Sequence, residues 1–267
     1  MTERYSTIRR YVFNVFKDLY GHNISFRTYL RYCRRIGAIR APNAKKESLT
    51  LRHRKMRIAW CRVRKFWKME QWKKVIFSDE CCIKIGQDRR VYVWKMKDEG
   101  YYRPDLYGDN KKPKMQVMIW GCISWFGVGT ISMIDGTLNS RGYLQILEDK
   151  LWPVVAKHFP GGDYLFQDDG ASIHTAHIIK DYKANNGMGI LPWPAKSPDL
   201  NIIENLWHIL KLNIQKQVHT LKTVEDLKNL VENCWNSITT NYIRNLYNSL
   251  PRRMKRVTIL KGHRTKY

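Results

Sequence analysis

The chain has 267 residues, 43% of them hydrophobic with 10 Trp and 15 Tyr, enough for one large domain and a small one and too apolar for global disorder. No apolar run reaches the ~18 residues a membrane helix needs, and the N-terminal MTERYSTIRR lacks the apolar core of a secretion signal. The net charge is +25, of which residues 1–74 carry +17, from 21 Lys and Arg against 4 acidic residues; such a basic arm ahead of a nearly balanced remainder is the footprint of a nucleic-acid binder.

In chain order, residues 6–19 read as an amphipathic helix with Ile8, Val12, Val15, Phe16 and Leu19 on one face. After a turn at 20–23, Ser25 is placed to cap a second helix ending near Gly37, with Phe26, Tyr29, Leu30 and Cys33 on its apolar face. Arg27, Arg31, Arg34 and Arg35 lie mostly off that face, so residues 1–40 are expected to be a partial helix-turn-helix. Residues 41–71 are expected to be a basic linker, with Lys45 and Lys46 in RAPNAKK, and a helix over 50–69 carrying Arg54 and Arg57 toward a phosphate backbone. The third domain is expected over 72–267.

Within it, 74–78 reads as a strand, with 82–85 and 91–94 as hairpin partners. Residues 97–113 read as a loop. Strands are expected at 115–124 and 130–134, a helix capped by Ser140 running to 158, a strand at 164–167 and a helix at 174–184. Further helices are expected near 224–236 and 242–249, followed by a tail over 252–267 with seven basic residues and no acidic ones. The cysteines show no C-x-x-C pair and no zinc spacing, which is the pattern of reduced thiols.

Three acidic positions stand out. KKVIFSDECC is an apolar strand ending in Asp79, and DYLFQDDGASIH is another ending in Asp168 and Asp169. Open α/β sheets put their chemistry at strand ends. In ILPWPAKSPDLNIIENLWHIL, the prolines break an apolar run. Ile203, Leu206, Trp207 and Leu210 then recur at helical spacing. Pro198 and Asp199 are expected at the helix start, Asp199 as its cap. Glu204 lies one turn inside. A lone Glu there is ordinarily a solvated helix residue; the two earlier acidic sites change that reading.

Thirty-four residues separate Asp169 from Glu204. With FSDE, FQDDGASIHTA and WPAKSPDLNIIENLW, the chain resembles the mariner (Tc/mariner) superfamily of DNA transposases, in the branch with two Asp, a Glu and that interval. The resemblance covers nearly the whole chain. The family's usual words are SPDLNPIEHLW and QQDNAPCH, so Ile202 replaces Pro, Asn205 replaces His, Gly170 replaces Asn and Ser172 replaces Pro.

The resemblance implies an α/β, ribonuclease-H-like catalytic domain, a mixed sheet flanked by helices. It implies Asp79, Asp169 and Glu204 as catalytic residues and metal ligands, holding Mg²⁺ with Mn²⁺ as a substitute. It further implies cut-and-paste transposition by strand cleavage and strand transfer, double-stranded DNA (transposon ends and target) as partner, a homodimer on DNA, and a nuclear site of action. In the family two DNA-binding modules precede the catalytic domain, and this chain is expected to begin inside the second. The alternatives are a non-catalytic DNA-binding protein derived from a transposase, and a nuclease on the same fold.

Adjacent strand residues point to opposite sides, so only one of Asp168 and Asp169 can be the ligand. Spacing and motif choose Asp169. Glu80 is the wrong-parity neighbour of Asp79. His174 and Lys196 lie nearby in sequence, where either could touch phosphate or serve only the structure.

Overall fold

A computed structural model describes residues 21, 25–35, 38–42, 49–86, 92–96 and 113–267. The expected helix at 6–19, Lys45, Lys46 and nearly all of the expected loop at 97–113 lie outside them. The chain divides into two compact units, one from 1–48 and 86–114, the other from 49–85 and 115–267.

In the smaller unit, α1 (Phe26–Arg35) starts at Ser25, whose Oγ accepts the Thr28 N–H at 3.1 Å as expected of a cap. β1 (Ala38–Pro42) pairs antiparallel with β3 (Tyr92–Met96). The start of the expected linker is therefore a strand. The hairpin expected between 82–85 and 91–94 does not form: 82–85 pairs with 115–118, and β3 pairs with β1.

The larger unit is built on β2 (Val75–Ile85), one unbroken strand. Its length comes from alternation: Val75, Phe77, Cys81 and Ile83 bury themselves on one face while Ile76 does so on the other. β4 (Met115–Ser124) runs antiparallel to it along nearly its full length, from Phe77 opposite Ile123 to Ile85 opposite Met115. β5 (Gly127–Ile134) pairs antiparallel with β4, and β6 (Leu165–Gln167) pairs parallel with β2, giving the order β5-β4-β2-β6. A parallel bridge from Phe166 to Ile190 extends the sheet past β6.

Helices cover both faces. One face carries α2 (Leu51–Val63), α7 (Ile203–Lys216), α8 (Val224–Asn236) and α9 (Thr240–Ile259), whose apolar residues meet Phe77, Ile83 and Ile119. The short α3 (Met69–Lys73) leads into β2. The other face carries α4 (Ser140–Ile146), a π-helical turn (Leu147–Leu151), α5 (Trp152–His158) and α6 (His177–Asn185).

Several element bounds differ from expectation for local reasons. α2 ends at Val63 rather than near 69, since Trp67 turns back onto Trp72 with ring centroids 4.7 Å apart. Asn139, not Ser140, caps α4 by accepting the Gly142 N–H at 2.9 Å. α9 continues through Pro251, so the first eight residues of the expected tail are helical and Arg253 is buried. Among the described residues no helix is long and apolar enough to cross a membrane, and the described Cys61, Cys81, Cys82, Cys122 and Cys234 are free thiols.

Candidate active site

Asp79 sits midway along β2, on the face that α7 covers. Trp207, on that helix, donates its indole N–H to Asp79 Oδ2 at 3.3 Å. Glu204 lies on the exposed side of α7, one turn before Trp207. Burial pushes the Asp79 carboxyl well above the usual carboxylate range, and the charges of Glu204, Glu80 and Asp169 add to the shift. Asp79 thus feels the charges of Glu204 and Asp169, the other two carboxyls named by the sequence, as well as that of Glu80.

The α7 entrance is anchored differently from expectation. Asp199 does not cap the helix, which begins only at Ile203 after turns closed by Leu200 N–H to Ser197 O (3.1 Å) and Asn201 N–H to Pro198 O (3.0 Å). Asn201 accepts the Ile203 N–H at 3.4 Å and donates to Ser78 O at 3.1 Å, tying this turn to the strand residue before Asp79. Asp199 is instead buried against Arg57, which grips it with two 2.7 Å bonds. Thr265 donates to the same carboxylate from its N–H and its hydroxyl. Arg253 donates to Asp199 O at 3.0 Å and to Asn205 Oδ1 at 2.7 Å.

This corrects one expected DNA contact. Arg57 has no exposed surface, because its positive charge is consumed by Asp199, so it cannot reach a phosphate. Arg54 is half-buried, with Nη1 2.7 Å from His263 Nε2. Arg27, Arg31, Arg34 and Arg35 are exposed on α1 of the smaller unit.

Past the end of β6 the two aspartates part. Asp168 is buried, accepting from the Tyr143 hydroxyl at 3.2 Å and from the Lys183 ammonium. Asp169 is half exposed. Its Oδ1 accepts the Ala171 N–H at 2.8 Å and lies 2.8 Å from His174 Nδ1. The His174 bond, opposed by partial burial, holds the Asp169 carboxyl below its ordinary value. His174 is itself buried, which alone would lower its pKa, but the carboxylates of Asp169 and Glu80 carry it up to about 9. Glu80 Oε1 lies 3.2 Å from His174 Nε2. Lys196 is exposed, on left-handed backbone at φ 55°.

Gly170, following Asp169, has φ +71°. Gly and Asn are the residues that take this conformation at least cost, which explains why Gly can stand where the family has Asn.

An oxygen-only donor set drawn from two Asp and one Glu suits a hard divalent cation. As the side chains stand, Asp169 is turned to His174. Among the described residues no three His, Cys, Asp or Glu side chains are gathered closely enough to hold a metal ion.

Residues 74–228 match the family described as DDE superfamily endonuclease. The chain is 33% identical to the Tc3 transposase of Caenorhabditis elegans, over 73% of its own length and 59% of that protein. It is 31% identical to the Tcb1 transposase of Caenorhabditis briggsae, over 84% and 81%. It thus spans less than two thirds of the Tc3 protein and most of Tcb1. The pre-cleavage Mos1 transpososome superposes with a TM-score of 0.67 at 16% identity, over 95% of this chain and 78% of that one. The Mos1 transposase catalytic domain with raltegravir and Mg gives 0.62 at 16% identity, over 82% and 100%. At that identity the likeness speaks for the fold, which is ribonuclease-H-like, as the resemblance implied.

Proposed function

The chain belongs to the DDE superfamily endonucleases, among the Tc1/mariner transposases, and on that premise we propose that it cuts and rejoins double-stranded DNA in cut-and-paste transposition. What supports this reading is the family match over residues 74–228, together with Glu204 and Asp169 lying near enough to Asp79 for their charges to raise its carboxyl.

Strand cleavage and strand transfer are in-line displacements at phosphorus that build negative charge on the oxygens around it. Asp79, Asp169 and Glu204 would hold Mg²⁺, or Mn²⁺ in its place. Bound there, the metal supplies the positive charge that stabilises the attacking and leaving oxygens. The remaining work belongs to the protein. Trp207 fixes one oxygen of Asp79, and His174 fixes one oxygen of Asp169. Glu204 rides on a helix pinned by Ile203, Leu206, Trp207 and Leu210, all buried. The exposed arginines of α1 are suited to bind phosphates without reading sequence. A homodimer on double-stranded DNA is part of this proposal; the Mos1 transposase, which shares the fold, is described in a paired-end complex with the left transposon end.

The test is cleavage of duplex DNA carrying candidate terminal repeats, in Mg²⁺ or Mn²⁺. Wild type should cut. Asp79→Asn, Asp169→Asn and Glu204→Gln should each lose ~10³-fold or more, as expected when a metal ligand is removed. A wild-type protein that binds these ends but never cuts them would favour the non-catalytic DNA-binding alternative.

A further inference from the structure

We infer that Glu80 is a positioning residue for the cleavage reaction, orienting Asp169 through His174. This rests on the metal-site reading above and adds a residue to it. Asp79 and Glu80 are neighbours on β2 and point to opposite faces of the sheet. Asp79 faces α7. Glu80 faces the side of α4, where the Tyr143 ring lies against His174 with centroids 4.2 Å apart. Each nitrogen of the imidazole has its own carboxylate: Nδ1 meets Asp169 at 2.8 Å and Nε2 meets Glu80 at 3.2 Å. The backbone carbonyl of His174 accepts from Lys183 at 3.5 Å.

The ring is therefore held on its face, on both nitrogens and through its own backbone, with only 3% of its side chain exposed. Rotating it to lose either carboxylate would leave a buried nitrogen unpaired, which is costly. The other partner of Asp169 Oδ1, the Ala171 N–H, comes from the loop immediately after it. A local turn of that kind does not tie the carboxylate to the sheet. The link from Asp169 to the rigid centre of the sheet runs through His174 to Glu80. Glu80 points to the face of the sheet opposite to Asp79, and its Oε1 is taken up by the imidazole.

Outer partners of metal ligands typically change metal affinity or activity by about 10–100-fold when removed. The experiment uses the full chain and Mn²⁺ alone as probe. It reads Mn²⁺ affinity by calorimetry, the Mn²⁺ needed for half-maximal cleavage, and kcat against KM for DNA. Glu80→Ala should weaken Mn²⁺ binding by about 10–100-fold and lower kcat with KM for DNA unchanged. Glu80→Asp, which keeps the charge but shortens the reach, should show the same defect and serves where Glu80→Ala does not fold. Glu80→Gln, whose amide oxygen still accepts from His174, should recover most of the loss. His174→Ala should match Glu80→Ala, and the double variant should be no worse than His174→Ala.

Three results overturn the role: normal Mn²⁺ affinity in Glu80→Ala or Glu80→Asp; effects that multiply in the double variant; or Glu80→Gln as inactive as Asp79→Asn, which would make Glu80 a ligand. Asp169→Asn separates the two readings. If it binds Mn²⁺ like wild type, the metal reading fails and the positioning role with it. If it loses Mn²⁺ while Glu80→Ala does not, the positioning role alone fails.

Discussion

Gly121 stands opposite Asp79 across the β2–β4 pair, and the space its missing side chain leaves is filled by Trp207. A Cβ on Gly121 would come within 2.8 Å of the Trp207 ring, which stacks on Trp235 with centroids 5.1 Å apart. The glycine thus lets the indole reach Asp79. Gly121→Ala should overpack this contact and cost about 1–3 kcal/mol in urea unfolding. Trp207→Phe keeps most of the packing but loses the N–H. A hydrogen bond to a charged group contributes about 1.5–3 kcal/mol. Trp207→Phe should therefore fold and cleave at least about tenfold more slowly in single-turnover assays. Wild-type cleavage in Trp207→Phe would mean that the indole only fills space.

The two aspartates after β6 separate a folding role from a catalytic one. Asp168 neutralises Lys183 with both side chains only 10% exposed. Removing one partner of such a buried pair costs about 3–5 kcal/mol, and Asp168→Asn, which keeps a hydrogen bond, should lower stability toward that range. At equal folded concentration it should retain most of its cleavage. Asp169→Asn removes the charge beside His174 and should lose less stability than Asp168→Asn, since Asp169 is half exposed, but it should not cleave. The check is a denaturation curve beside a cleavage time course for each. The reverse pattern would place the wrong Asp in the site.

The elements that carry the candidate site residues were legible in the sequence where the signal was local. The apolar runs before Asp79 and Asp169 became part of β2 and β6, although β2 continues to Ile85 and so puts Asp79 midway along the strand and not at its expected end; the helical spacing of Ile203, Leu206, Trp207 and Leu210 became the buried face of α7. What could not be read were pairings between distant polar groups. Arg57 and Asp199 are 142 positions apart. Each looked complete alone, one as a phosphate contact and the other as a helix cap. Strand partners were missed for the same reason: β1 and β3 are far apart in sequence, and nothing within 82–94 said that 82–85 would pair with β4. Glu80 was set aside because parity was judged against one face only. His174, five residues after Asp169, was the available sign that the other face also serves the site.

The Arg57–Asp199 pair gives a pH dependence with a definite sign. Burial alone would raise the Asp199 carboxyl, but Arg57 and Thr265 hold it below its ordinary 3.8. A carboxylate depressed in the folded state contributes stability above its unfolded pKa and loses it as pH falls through the folded value. Asp199→Asn leaves Arg57 buried without its counter-charge and should cost about 3–5 kcal/mol near neutral pH. The gap between wild type and variant should hold down to about pH 4 and narrow below it. Urea unfolding from about pH 7 to about pH 3 reads this directly. A gap that stays constant below the ordinary value of 3.8 would show that the pairing does not set the carboxylate's affinity for protons.

The buried state of Arg57 also divides the basic residues of the N-terminal region into two kinds. Binding to duplex DNA releases counterions, so log affinity falls with log salt by about 0.9 for each phosphate neutralised. Arg27, Arg31, Arg34 and Arg35 are exposed on α1 and free of acidic neighbours on that helix. Changing all four to Gln should flatten the salt slope by up to about 3.6 if each meets one phosphate, and weaken binding to all sequences alike. Arg57→Gln should leave the slope where it was, because its charge already belongs to Asp199, while lowering stability. Fluorescence anisotropy on a terminal-repeat duplex at several salt concentrations, below the melting temperature of each variant, makes the comparison. A slope unchanged by the four α1 substitutions would put the DNA surface elsewhere. A slope flattened by Arg57→Gln in folded protein would mean that the Asp199 pair opens when DNA binds.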